Sequence, residues 1–87
     1  MAQYELRVRR SVARDLSTIP RVEVVRILAR IESLRDDPHP PGAQKLSGQE
    51  RYRVRQGDYR ILYTVADAEL IVEVVRVGHR RDVYRES

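Results

Sequence analysis

Cysteine is absent from this sequence. That excludes a disulfide framework, a thiol nucleophile and any cysteine metal site. Phe and Trp are absent as well, and there is a single Met. A core must therefore be assembled from Val, Ile, Leu and Ala, with five Tyr as the whole aromatic content. Two histidines, His39 and His79, are too few for a histidine-based metal centre. The four glycines are scattered and form neither a G-x-G-x-x-G nor a P-loop. No two carboxylates recur at a spacing that suggests a glycosidase, and Ser47 has no His–Asp context. No metal and no cofactor is expected. No apolar run approaches the ~18 residues of a membrane span. The opening MAQYELRVRR has no apolar stretch of the secretory kind. A cytoplasmic protein without a membrane partner is the expectation.

What the chain has in excess is arginine. Sixteen of its 17 basic residues are Arg, Lys45 is the only Lys, and the net charge is +4. The guanidinium grips phosphate or carboxylate at two points and stays charged, so composition suggests a polyanionic partner. At 87 residues, 41% hydrophobic and 34% charged, the chain reads as one globular domain over 1–87. Its stability is expected at only about 4–13 kcal/mol.

Residues 4–8 alternate apolar and polar, the pattern of a strand. Ser11 is placed to cap a short helix with Val12, Leu16 and Ile19 on one face. Pro20 interrupts it and suits the first turn of a second helix, where Glu23 meets the helix dipole. That helix is predicted over about 20–36, with Val24, Ile27, Leu28, Ile31 and Leu34 as its buried stripe. Arg26, Arg30 and Arg35 lie off the stripe and read as a solvated face. Pro38, Pro40, Pro41 and Gly42 end it. Gln44–Leu46 suggests a short strand. Residues 51–55 alternate, with Tyr52 and Val54 on one face and Arg53 and Arg55 on the other. Turns at 56–58 and 66–68 bound a strand over 59–65. LIVEVVRV (70–77) is predicted as the most buried strand. The expected fold is α+β, in the order β-α-α-β-β-β(-β). Two N-terminal helices pack on one face of a mainly antiparallel sheet of four to five strands.

Three arginine clusters stand out. Arg53 and Arg55 share a sheet face about 7 Å apart, close to the phosphate spacing of a nucleic-acid strand. Arg60 follows the turn and is expected beside one of them. The tail Gly78-His79-Arg80-Arg81-Asp82-Val83-Tyr84-Arg85 is a third. Like charges on neighbouring strands repel, which argues that such clustering serves a ligand. Each Arg alone has a structural alternative: Arg53 or Arg55 with Glu73, Arg60 with Asp58, Arg81 with Asp82. Surrounding cations would lower the pKa of Tyr84. That suits it to accept a proton from a sugar hydroxyl or to stack on a base; the alternative is a Tyr capping the core edge. Tyr4, Tyr52, Tyr59 and Tyr63 fall in strand patterns and are expected to pack. His79 is either a proton donor or a solvated loop residue. His39, between prolines, is expected to be inert.

In order and spacing, the chain resembles the RelE toxins of bacterial toxin–antitoxin modules. The resemblance rests on Lys45-Leu46-Ser47-Gly48, Tyr52-Arg53-Val54-Arg55 and Gly57-Asp58-Tyr59-Arg60-Ile61-Leu62-Tyr63. It extends through Val77-Gly78-His79-Arg80, with Asp82-Val83-Tyr84 following and Ala13-Arg14-Asp15-Leu16 before Ile19-Pro20. It covers nearly the whole chain and is specific at the level of the superfamily that RelE shares with the ParE-like toxins. It implies a RelE-like fold and a ribosome-dependent endoribonuclease that cuts mRNA in the A site. It also implies a RelB-like antitoxin that wraps the toxin, with operator DNA met only through that complex. By the resemblance, Arg60, Arg80 and Tyr84 are the catalytic residues. Lys45, Arg53, Arg55, His79 and Arg81 are expected to hold RNA phosphate. Arg53 and Arg55 stand where better-known members carry lysine. Arginine hardly gives up a proton, so proton transfer would fall to Tyr84, His79 or ribosomal RNA. Two other readings stay open: a ParE-like gyrase inhibitor, and a silent homologue acting only with antitoxin and operator DNA.

Overall fold

A computed structural model of the chain describes residues 3–46 and 51–79. Its elements follow the expected order: β1 (Glu5–Val8), α1 (Arg10–Ser17), α2 (Arg21–Ser33), β2 (Gln44–Lys45), β3 (Arg51–Gln56), β4 (Tyr59–Ala66) and β5 (Ile71–His79). They form one five-stranded sheet in the order β1-β5-β4-β3-β2. β2 to β5 is an antiparallel meander, whereas β1 pairs parallel to β5. The helices carry the chain from β1 at one edge to β2 at the other, and the meander returns it. Val12 of α1 and Ile27, Ile31 and Leu34 from α2 and its end share one core with Val54, Ile61, Tyr63, Val72, Val74 and Val77. Both helices therefore cover the same sheet face. No helix among the described residues is long and apolar enough to cross a membrane.

Ser11 does not cap α1. The Arg9 N–H is bonded to Val74 O at 3.0 Å, extending the β1 ladder. Arg9, extended at φ −65°, ψ 149°, is thus the residue from which the helix turns, and it makes no side-chain cap. Ile19 lies beyond α1 but still packs against the core. Pro20 precedes α2, and its carbonyl accepts the Glu23 and Val24 N–H groups. The buried stripe of α2 is narrower than its sequence suggests. Leu28 is 48% exposed, together with Val22 and Val25. Asp15 extends the sheet in another way. β1 pairs β5 only as far as Val74, and the Asp15 carboxylate accepts the Val77 N–H at 3.0 Å.

β5 is the deepest strand, with Val72, Val74, Val75 and Val77 all buried. Four such residues do not fit a strict alternation. A bulge resolves the pattern: Leu62 opposes Arg76 and Tyr63 opposes Val74, leaving Val75 as the extra residue. Val72, Val74 and Val77 stay in the core under the helices, while Val75 joins Leu62 and Leu46 on the opposite face. Leu70, expected to open this strand, is instead a turn residue at φ 57°.

All four described tyrosines pack as expected. Tyr63 is fully buried, stacks on Tyr52 at 5.8 Å and donates to Pro38 O at 2.8 Å. His39 is not inert. Its ring stands edge-on to Tyr52 at 5.1 Å, and Nε2 lies 3.4 Å from Asp67 Oδ1, which also accepts from Tyr4 Oη at 2.7 Å. These contacts tie the proline-rich segment to the sheet.

Candidate nucleic-acid interface

The sheet face away from the helices carries the arginines. Gly57, at φ 61°, and Asp58 make a two-residue hairpin turn, and a left-handed φ at that position is why glycine stands there. The turn sets Gln56 opposite Tyr59 and hence Arg55 directly opposite Arg60. Directly opposed side chains have Cβ atoms about 5 Å apart. Gly78 is the next residue in that row and adds no side chain beside Arg60. The neighbouring row on this face runs Arg53, Leu62, Arg76. Leu62 and Val75, with Leu46 packed against them, form a small apolar floor among the guanidinium groups.

The structural alternatives for these arginines are mostly removed. Glu73 faces Arg7 in the register and lies 3.6 Å from Arg9, well away from Arg55. Among the described residues neither Arg55 nor Arg60 makes an ion pair with a carboxylate. Arg60 is half-buried, and its Nε is enclosed without a hydrogen bond among those residues. Two like charges held face to face without a carboxylate are suited to receive an anion such as a phosphodiester. The row Arg55–Arg60–Gly78 contains no carboxylate and no imidazole. It can neutralise and orient charge, but it contains no group suited to move a proton. No group of three or more metal-ligating side chains is assembled among the described residues.

The other expected site residues are placed differently. Lys45 is exposed at the sheet edge and opposes Tyr52, so it lies off the face that holds Arg53. His79 opposes Tyr59, with the rings edge-to-face at 5.9 Å. That puts it on the helix side, where it lines a cavity of about 330 Å³ with Asp15, Thr18 and Ile19. β5 ends at His79, at the same end of the sheet as the Arg55–Arg60 pair. Arg80, Arg81 and Tyr84 lie outside the described residues, as does the alternative pairing of Arg81 with Asp82.

One residue escaped the sequence reading. Arg30 is half-buried and joins Arg53 and Arg55 around a groove of about 290 Å³. The signal was present: position 30 stands three residues after Ile27 and four before Leu34, which is stripe spacing and not that of the solvated face.

The chain has known relatives in both sequence and fold. The family model "ParE toxin of type II toxin-antitoxin system, parDE" matches residues 6–84. Toxin RelG of Mycobacterium tuberculosis is 33% identical, over 94% of this chain and 97% of its own length. A chain in the crystal structure of the RelBE2 toxin–antitoxin complex of M. tuberculosis superposes with a TM-score of 0.81 at 27% identity, covering 94% of this chain and 97% of that one. A chain of the archaeal RelE–RelB complex from Pyrococcus horikoshii OT3 gives 0.80 at 26%, covering 95% and 100%.

Proposed function

This chain belongs to the ParE toxin family of type II toxin–antitoxin systems, among relatives named RelE-like toxins, and we propose from that membership that it is a ribosome-dependent endoribonuclease cutting mRNA in the A site. The observation that carries the reading is the Arg55–Arg60 pair facing each other on an open sheet face. In the reaction the 2′-oxygen attacks the adjacent phosphorus and the bond from phosphorus to the 5′-oxygen breaks. A 2′,3′-cyclic phosphate and a free 5′-hydroxyl result. The 2′-hydroxyl gives its proton to a base, and an acid delivers one to the leaving oxygen. Charge builds on the phosphorane, and fixed guanidinium groups are most useful there.

Arg60 takes that role, with Arg80 as its proposed partner. Arg53 and Arg55 hold flanking phosphate. As neither readily releases a proton, Tyr84 is the proposed proton-transfer group, supported by the cationic tail around it in sequence. His79 lies beside Tyr59 on the helix side, which favours Tyr84 over it. In its inactive form the protein is bound by a cognate antitoxin in the cytoplasm. The solved relatives described as RelBE and RelE–RelB complexes support that partner.

The test adds wild-type protein and Arg60→Ala to ribosomes programmed with a defined mRNA, followed by primer extension. An A-site cut by the wild type, slowed roughly 100- to 1,000-fold in the variant, is expected. Undiminished cleavage by Arg60→Ala would overturn the site. The parDE description of the matching family favours a second reading, a gyrase inhibitor. A folded wild type that cuts nothing and blocks gyrase supercoiling would establish it instead.

A further inference from the structure

A second cationic feature lies at the sheet edge beside the arginine row. β2 is two residues long and pairs only with Arg53 and Tyr52, so β3 is the edge of the sheet from Val54 onward. The groove that opens there is lined by Arg30 from the helix layer and by Gly42, Gln44, Arg53 and Arg55 from the sheet layer and its approach. Its volume, about 290 Å³, is near the lower limit for small-molecule sites. Gly42 sits at φ +91°, with nothing within 4 Å of where a Cβ would stand, so the wall on that side is open.

Arg30 is the unusual member. It is half-buried, its Nε is enclosed without a hydrogen bond, and among the described residues it has no carboxylate partner. Its charge acts on the Tyr63 hydroxyl, against the rise that burial causes there. A partly desolvated cation without a counter-ion is costly within the protein alone, and an anion arriving from outside offsets that cost. Gln44, the one polar side chain of the groove that is not an arginine, is neutral. The site is thus cationic and open at one side, adjacent to the row that receives the scissile phosphate.

We propose that this groove binds a backbone phosphate of single-stranded RNA next to the cleaved step, gripped by Arg30 together with Arg53, making Arg30 a substrate-binding residue. The inference rests on the arginine row being an RNA site. The phosphate belongs either to the mRNA or to the ribosomal RNA.

The experiment measures binding of a 2′-O-methyl octanucleotide, which cannot be cleaved, by fluorescence anisotropy across a salt series. Arg30→Gln is expected to weaken binding about 3- to 10-fold at low salt and to flatten the log–log salt slope by about 0.7, one phosphate contact on a single strand. Arg30→Lys recovers most of both. Gln44→Glu, at an exposed position, places a carboxylate at the groove without touching Arg30, and is expected to weaken binding about 3-fold. This second variant keeps the test valid if Arg30→Gln fails to fold. A salt slope unchanged in Arg30→Gln and affinity unchanged in Gln44→Glu would overturn the proposal. So would a loss confined to antitoxin binding, which would make the groove a protein contact.

Pelleting with ribosomes separates the sources. A loss seen only on programmed ribosomes assigns the phosphate to mRNA; a loss on empty ribosomes as well assigns it to ribosomal RNA. The two proposals also fail separately. If the wild type cuts nothing but the Arg30→Gln slope falls, the ribonuclease reading fails and the groove stands as a phosphate site for single-stranded RNA, without a cleaved step beside it. If Arg60→Ala abolishes cutting but neither groove variant changes binding, only the groove fails.

Discussion

Val54, Ile61 and Val77 form one row across the sheet; Arg55, Arg60 and Gly78 form the next, one residue away on each strand. The first row is sealed under the helices, and the second faces away from them without a carboxylate partner among the described residues. Strand alternation lets adjacent residues take opposite tasks. The helix face supplies the stabilisation, and that surplus lets the other face hold like charges together. The bulge at Val75 is what permits both on β5, since it shifts Arg76 to the open face while Val77 stays in the core.

Neighbours in β4 give the sharpest way to break this division. Ile61→Ala should cost about 3–4 kcal/mol, because it leaves a cavity at a fully buried site. Against a total near 4–13 kcal/mol, that is a large loss in urea unfolding. Arg60→Ala, one residue away, should leave the unfolding midpoint nearly unchanged or raised. Equal losses from the two variants would mean that the open face is structural too.

The next effect is alkaline. Burial raises the pKa of the Tyr63 hydroxyl from its ordinary 10 to about 12, against the opposing charge of Arg30. The folded state then holds its proton more tightly than the unfolded chain does. The stabilisation is complete below pH 10 and is lost as pH rises toward 12. The expected loss is about 2–3 kcal/mol at 1.36 kcal/mol per unit. Tyr63→Phe should flatten that limb of the stability–pH profile. It should also lower stability at neutral pH by about 1 kcal/mol, since the Pro38 carbonyl loses its donor. A profile as steep in Tyr63→Phe as in the wild type would remove Tyr63 as its source.

Legibility in the sequence followed the range of the interactions. The Arg53/Arg55 face and the approach of Arg60 were readable because a two-residue turn and strand alternation are local rules. The parallel pairing of β1 with β5 was not, because it depends on which edge the helices reach. The bulge lay hidden in Val74-Val75, since a run of buried residues has no period that marks an insertion. Leu28 and Arg30 exchanged their expected roles for a related reason. Both flank the true stripe, and only the angle of α2 on the sheet decides which one turns inward. The position of His79 depended on pairing with Tyr59, a contact twenty residues away in sequence.

The smallest effect tests whether the arginine pair really opposes folding. Like charges directly across two strands are destabilising by a few tenths of a kcal/mol. Arg55→Gln should therefore stabilise the free protein by about 0.5 kcal/mol, raising Tm by roughly 2–4 °C. It should weaken RNA binding at the same time. The gain should shrink in 0.5 M salt, because Arg55 is exposed and its repulsion is screened. It should also vanish in an Arg60→Gln background, where the opposing charge is already gone. A stabilisation that survives in that double variant would come from Arg55 alone, and the face-to-face pair would carry no repulsion for an RNA phosphate to relieve.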